Sequence, residues 1–330
     1  MRPHPRVSVI IPAYDCESRI GSTLERLRGQ SHTDFEAVVV NDGSRDRTAV
    51  EVRRAMESDS RIRLVEQASN TGIAAARNAG VAAARGELLA FLDDDDWWVP
   101  RKLEHQLARL HQVPDASVVS CYSALVDPSG TLLGWRFGGR TEGNVYAQML
   151  EWDMVSGGSV ALVARRAFEA VGGFDESLPY RADWDLWIRL ARRHRFTCVP
   201  RVLVGYTRRP GSISRNHEQM LEQGRAVLTK ARREDASISA DRHRALLARD
   251  QFAIFCLCLV DDEWWPGWRY LARSLRGSPG FILMRPRRLG AILLHTLATV
   301  LPPPAYRYVL SMLSRVVFRL ERGGRFDALE

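Results

Sequence analysis

The segment LLAFLDDDDWW, residues 88–98, joins an apolar run directly to four consecutive aspartates. A run of charges is usually a solvated surface. Here two tryptophans follow, where a solvated run would stay polar, and the adjacent carboxylates repel one another. A divalent cation would relieve that repulsion, because Mg²⁺ is typically held by one or two carboxylates together with substrate phosphates. The segment therefore predicts a buried strand that ends at a metal site, where Asp93 and Asp95 are spaced so that one carboxylate reaches the metal and the other a ribose.

The chain before this segment alternates short apolar runs with helical patterns. The runs are too short and continuous for helices and are typical of strands buried on both faces: Val7–Ile11, Phe35–Val40, Arg61–Glu66 and Glu87–Leu92. Helices are predicted between them at Glu17–Gly29, Arg45–Glu57 and Gly72–Ala84. This alternation predicts an α/β fold with a mostly parallel sheet, which binds ligands beyond the carboxyl ends of its strands.

The pattern changes along the second half of the chain. Strands are predicted at Ala116–Val126, Ser159–Val163 and Val199–Tyr206, and helices at Arg101–His111, Arg165–Val171 and Trp184–Arg193. After about residue 215 only helical patterns occur, at His217–Arg233, Ser239–Val260 and Trp265–Arg276. We therefore expect a domain over residues 1–215 and an all-helical region over 216–330.

Composition limits the partners and the compartment. The 330 residues carry a net charge of +8, almost all from arginine, so anionic partners are favoured. The five cysteines form no CxxC pair, which indicates neither a disulfide framework nor a zinc site. No signal peptide is visible, and the longest late apolar stretch, Leu289–Leu301, is too short for a bilayer. We expect a cytoplasmic protein.

Further polar residues follow the predicted strands. Asp42 could accept a hydrogen bond from a base N–H, or could simply belong to an Asn-Asp-Gly turn. Tyr14 could stack on a base, with Glu17 one turn further on. Arg77 lies in a helix rich in small residues that could approach a ligand, or it forms a surface ion pair. Asp183 either caps the start of a helix or faces a cleft as a general base.

Together these segments resemble the family 2 glycosyltransferases of the GT-A fold. The matching text occurs in the order of that family over residues 6–215: SVIIPAYD, VVVNDGSRDRT, NTGIAAARNAG, FLDDDDWWVPRKLEHQ, VGGFDESL, DWDLWIRL and YTRRPGSIS. The resemblance implies inverting transfer of a sugar from a nucleotide-diphosphate sugar to an acceptor hydroxyl. It also implies a divalent metal, Mn²⁺ or Mg²⁺.

The resemblance assigns roles position by position. Asp95 would bind the metal as part of a DxD motif, and Asp183 would be the catalytic base. Nucleotide-sugar contacts fall on Pro12, Ala13, Tyr14, Glu17, Asp42, Arg77, Asp93, Asp94, Arg208 and Arg209. Two positions depart from the family: Ala182 stands where an acid often precedes the base, and Arg209 where a His is common. The first departure leaves open that Asp185 shares or replaces the role of Asp183.

Several alternatives bear on function. A P-loop phosphotransferase is excluded because no GxxxxGK[ST] motif occurs. A non-catalytic nucleotide-sugar-binding scaffold stays open because of Ala182, and nucleic-acid binding is not expected. Residues 281–320 mix apolar stretches with arginines. They either form a helical cap or lie on an anionic membrane surface. The latter would place the enzyme beside a lipid-linked acceptor in bacterial cell-surface polysaccharide or glycolipid assembly; the acceptor is otherwise a saccharide.

Overall fold

The protein divides into two compact units in a computed structural model. The structure describes residues 4–207, 209, 215–261, 263–283, 290, 292–293, 296–297 and 300. Of these, residues 4–146 and 153–209 form the first unit, and residues 147–152 join those after 210 in the second. The domain boundary predicted at residue 215 stays a prediction. Arg208 and most of the segment 281–320 lie outside the described residues.

All nine strands found in the described part of the first unit belong to one sheet. Its order is β3-β2-β1-β4-β8-β6-β9-β5, with β7 paired to β6. The strands are β1 (Val7–Ala13), β2 (Phe35–Asn41), β3 (Ile62–Glu66), β4 (Leu88–Phe91), β5 (Trp97–Trp98), β6 (Ala116–Val126), β7 (Leu132–Phe137), β8 (Leu162–Ala164) and β9 (Arg195–Thr207). Strands β1 to β4 are mutually parallel, so their carboxyl ends share one edge.

Helices follow most strands of the first unit. They are α1 (Ile20–Arg28), α2 (Thr48–Ser58), α3 (Ile73–Ala83), α4 (Lys102–Gln112), α5 (Tyr146–Glu151), α6 (Arg165–Ala170) and α7 (Ala182–Arg193), with α5 at the division between the units. Every residue of β1, β2 and β4 is buried, as expected for strands covered on both faces. A Cβ at Gly80 of α3 would lie 2.4 Å from Cγ2 of Ile10. The small residue at this position therefore lets α3 pack closely on the sheet. The predicted α/β fold class is confirmed.

The described part of the second unit is helical, as predicted. Besides most of α5, its helices are α8 (His217–Glu234), α9 (Ala240–Val260), α10 (Trp264–Gly277) and α11 (Pro279–Leu283). Phe255 and Cys258 of α9 are buried in a cluster with Tyr270 and Leu271 of α10. Among the residues that the structure describes, no helix combines the length and apolar character needed to cross a membrane.

Three features of the sheet were not predicted: the antiparallel direction of β8, which lies where a strand was expected at Ser159–Val163, and the two short strands β5 and β7. Strand β8 runs antiparallel to both β4 and β6, so the second half of the sheet is mixed. Strand β5 has two residues and pairs with β9, about a hundred residues later in the chain. Strand β7 returns antiparallel along β6 after the turn at residues 127–130. Each depends on pairing with a distant or neighbouring strand rather than on its own periodicity.

Candidate active site

The acidic run follows β4, and three of its four carboxylates are paired with arginines. Nη2 of Arg77 donates to Oδ1 of Asp93 at 2.5 Å. Nη2 of Arg19 donates to Oδ2 of Asp94 at 2.6 Å, and Nε of Arg209 donates to Oδ2 of Asp95 at 2.8 Å. The aspartate run predicts a metal as the counter-charge. In this structure arginines from three separate segments supply much of it.

The paired arginines do not fully compensate the burial of these carboxylates and the repulsion between them. Burial and the negative charge of Asp94 raise the pKa of Asp95 to about 6, although Arg209 opposes the shift. Burial and the charge of Asp95 raise the pKa of Asp96 well above its usual range. Asp96 also accepts a hydrogen bond from the backbone N–H of Thr207. The site therefore still disfavours additional negative charge and would favour a further cation.

A metal held by protein side chains alone is not found in the described residues, where no group of three or more His, Cys, Asp or Glu side chains could hold one. The donor set fits a different arrangement. One or two carboxylates can hold Mg²⁺ when substrate phosphates supply the other ligands. The Asp95 carboxylate has 16% of its side chain exposed and could serve in this way. Arg209 would then have to release the Oδ2 atom that it now contacts.

Asp183 lies in the first turn of α7 and is half-buried. One of its carboxylate oxygens, Oδ1, accepts the N–H of Trp184 at 2.9 Å. Burial raises the pKa of Asp183, while the positive charge of Arg77 opposes the shift. The charge of Asp183 contributes in turn, after burial, to raising the pKa of Asp153 to about 7. A carboxylate with a raised pKa is suited to accept a proton near neutral pH.

Asp185, the alternative base, is in a different environment. Its side chain is only 4% exposed, and its Oδ2 accepts from Nε of Arg189 at 2.8 Å. The Arg189 guanidinium also donates to the carbonyls of Val171 and Gly173. Asp185 thus anchors α7 to the preceding Gly-Gly turn. This contact network favours Asp183 over Asp185 as the base.

Tyr14 lines an open cavity of about 400 Å³ at the carboxyl ends of β1, β2 and β3. Its side chain is 42% exposed, and the polar residues around the cavity include Asn41, Ser44, Glu66 and Gln67. No residue of the acidic run belongs to this lining. The volume is within the usual range for small-molecule sites.

Asp42 and Glu17 make contacts that order the loops around this cavity. Oδ1 of Asp42 accepts from the N–H and hydroxyl of Thr71, and Oδ2 accepts from the N–H of Gly72. Asp42 is only 3% exposed. A hydrogen bond from a nucleobase N–H would have to use one of the lone pairs that its carboxylate oxygens still have. Oε2 of Glu17 accepts the N–H of Arg47 at 2.8 Å. The nucleotide roles of both residues stay predictions.

The remaining predicted residues and several unpredicted ones complete the site. Pro12 and Ala13 are buried in β1, where the Ala13 carbonyl accepts the N–H of Asp42. Residues that the sequence analysis missed are Arg19, Asp153, Gly158 and Ser159. No motif distinguishes them, and each is defined by a contact or charge from a distant segment.

The comparisons with known proteins agree on the family. The model of glycosyl transferase family 2 matches residues 8–172, half of the chain. A glycosyltransferase of Rickettsia felis is 30% identical over 57% of this chain and 32% of its own length. The hyaluronan synthase of Pasteurella multocida is 28% identical over 66% of this chain and 23% of its own length. The chain therefore spans less than a third of either relative.

Solved structures agree on the fold. The mannosyltransferase PcManGT from Pyrobaculum calidifontis, in complex with GDP-Man and Mn²⁺, matches with a TM-score of 0.61. The match covers 96% of this chain and 87% of PcManGT at 21% identity, a level that supports the GT-A fold alone. The fold and the family match agree with the resemblance of the sequence motifs. The chain belongs to glycosyl transferase family 2.

Proposed function

We propose that this glycosyltransferase transfers a sugar from a nucleotide-diphosphate sugar to an acceptor hydroxyl with inversion at the anomeric carbon. The observation that carries the proposal is the half-buried carboxylate of Asp183, whose charge interacts with that of Arg77, which in turn binds Asp93. A candidate base and a candidate donor-binding carboxylate are thus linked through one buried cation. GDP-Man in the PcManGT complex supports a nucleotide sugar as donor.

In this mechanism a carboxylate oxygen of Asp183 accepts the proton of the acceptor hydroxyl. The acceptor oxygen attacks the anomeric carbon as that carbon's bond to the diphosphate oxygen breaks. The bonding electron pair leaves with the nucleoside diphosphate, and the proton stays on Asp183 until it is released to solvent. General-base catalysis of this kind contributes roughly 10²–10⁴-fold to the rate.

Asp95 is the residue that we propose to hold a divalent metal, Mn²⁺ or Mg²⁺, together with phosphate oxygens of the donor. When bound, such a cation stabilises the negative charge of the leaving diphosphate. Arg209 contacts Asp95 in this structure, and a metal on Asp95 would displace its guanidinium toward a phosphate oxygen of the donor. The Mn²⁺ in the PcManGT complex supports a divalent metal as cofactor.

The acceptor is proposed to be a saccharide or a lipid-linked saccharide of bacterial cell-surface polysaccharide or glycolipid assembly. The relative named hyaluronan synthase supports a role in polysaccharide synthesis. The arginines among residues 281–320 support work at the cytoplasmic face of an anionic membrane.

The test is a thermal-shift panel of nucleotide sugars, each with Mn²⁺ and with EDTA. A ligand that binds only the folded state raises the unfolding temperature by mass action, so the donor should give the largest increase, and only with Mn²⁺. The selected donor is then incubated with candidate acceptors, and release of nucleoside diphosphate is measured. If no nucleotide sugar shifts the unfolding temperature, the proposal is wrong.

A further inference from the structure

Arg77 is the most enclosed of the three arginines that pair with the acidic run. Its side chain is 4% exposed, and its Nη2 atom contacts Oδ1 of Asp93. The Cζ atom lies 5.3 Å from the centre of the Phe174 ring. The negative charges of Asp93 and Asp183 raise the pKa of Arg77 despite its burial, so it stays a cation. A group this enclosed has little surface left for a nucleotide.

Gly158 also packs against the Arg77 guanidinium. A Cβ atom at position 158 would lie 3.0 Å from Nη2 of Arg77 and 3.2 Å from its Cζ. These distances are too short for comfortable packing, so any side chain would push the guanidinium away by a few tenths of an ångström. Glycine is the residue that permits such a close approach. The position of the Nη2 atom therefore depends on Gly158.

Ser159, the next residue, forms hydrogen bonds with Asp93 and with Trp98. The hydroxyl oxygen of Ser159 accepts the backbone N–H of Asp93 at 3.1 Å. The Ser159 carbonyl accepts Nε1 of Trp98 at 3.0 Å. The loop before β8 thus fixes the backbone of Asp93 through Ser159 and its carboxylate through Gly158 and Arg77. In the described residues no hydrogen bond engages Oδ2 of Asp93, which leaves that oxygen for a ligand.

We propose that Arg77 is a positioning residue: packed against Gly158, it orients the Asp93 carboxylate toward the donor and does not itself contact the nucleotide. This inference rests on the proposed function and changes the role that the family resemblance gives to Arg77. In the alternative arrangement, donor binding exposes the Arg77 guanidinium, which then contacts the nucleotide directly. The buried Nε of Arg77 has no hydrogen-bond partner in the described part of the chain and would then bind a phosphate or base oxygen.

A double-mutant cycle separates the two arrangements. Binding of UDP and of GDP to the full chain is measured by calorimetry with Mn²⁺ for the wild type, Arg77→Gln, Asp93→Asn and the double variant. Loss of a charged hydrogen bond predicts that Arg77→Gln weakens binding about ten- to a hundredfold. If Arg77 acts through Asp93, the double variant binds as Asp93→Asn does. A further loss in the double variant equal to that of Arg77→Gln alone would overturn the inference.

Two further variants test the mechanism of positioning. Gly158→Ala should raise the dissociation constant about three- to tenfold, because the added methyl displaces the guanidinium. Gly21→Ala is the matched control, since its Cβ meets nothing within 4 Å, and it should bind as the wild type does. Arg77→Lys keeps a positive charge and an ammonium that can donate to Asp93, so it should recover most of the affinity that Arg77→Gln loses. Equal binding by Gly158→Ala and the wild type would contradict the inference.

Steady-state kinetics distinguish positioning from a general structural fault. Gly158→Ala should raise the KM for the donor and leave the KM for the acceptor unchanged; a rise in both would contradict the inference. Thermal unfolding checks that each variant folds. If Arg77→Gln does not fold, a cycle of Gly158→Ala with Asp93→Asn replaces it, with the same expected non-additivity. If the wild type binds neither UDP nor GDP, the nucleoside diphosphate of the donor selected by the thermal-shift panel takes their place. If the wild type binds no nucleoside diphosphate, the proposed function fails, and this inference fails with it.

Discussion

Replacement by asparagine should have different effects at the two carboxylates at the start of α7: it should lower turnover at Asp183 and lower stability at Asp185. Asp183→Asn removes the proposed base and should lower turnover roughly 10²–10⁴-fold, the usual contribution of general-base catalysis. At 1.36 kcal/mol for each factor of ten, this corresponds to about 2.7–5.4 kcal/mol of activation free energy. Its folding should not suffer, because the folded environment already raises the pKa of Asp183 and so disfavours its charge.

Asp185→Asn should instead destabilise the protein. The Asp185–Arg189 pair is 4% and 13% exposed, so solvent screens it weakly. Breaking a buried ion pair by removing one charge costs about 3 kcal/mol or more. For a unit of some 200 residues this lowers the unfolding temperature by roughly 6–12 °C. Turnover of the variant that remains folded should stay within about tenfold of the wild type, because Asp185 acts on the packing of α7.

The assay measures nucleoside diphosphate release at saturating donor, alongside thermal unfolding of each variant. Nucleotide binding by Asp183→Asn should be nearly unchanged, since the base faces the acceptor. Asp183 is not the base if Asp183→Asn keeps more than a tenth of wild-type turnover. Asp185 is the better candidate if Asp185→Asn is inactive while its unfolding temperature equals that of the wild type.

Three other predictions concern the metal, the pH dependence and the membrane. Asp95→Ala should abolish transfer and weaken nucleotide binding, because the diphosphate loses its counter-charge; full activity in excess EDTA would contradict a metal role. The folded-state pKa of Asp153 is about 7, above its unfolded value of about 3.9, so the wild type loses stability as pH rises between these values. Asp153→Asn should therefore raise the unfolding temperature at pH 8 and have little effect at pH 4; an equal gain at both values would contradict this account. The chain should sediment with anionic liposomes at low salt and be released at high salt; absence of binding at low salt, or equal binding to neutral lipid, would rule out electrostatic attachment of residues 281–320.

The arginines around the acidic run show what sequence patterns could not reveal. The apolar strand before Asp93 and the aspartates themselves are contiguous, so their order in the chain is enough to predict a site at a strand end. Arg77 and Arg209 lie 16 and 114 residues from their partners. Which arginine meets which aspartate depends on how the loops at the sheet edge fold together, and no local period encodes that arrangement.

The sequence by itself determined the alternation of strands and helices, the helical second part and the order of the motifs. These properties depend on periodicity and residue type within short segments. Only the tertiary structure decided the antiparallel insertion of β8 and the pairing of β5 with β9. It also decided the difference between Asp183, half-buried in the first turn of α7, and Asp185, two residues later and bound to Arg189. Both aspartates lie in the first turn of α7, and their environments differ because helical positions two residues apart face different neighbours.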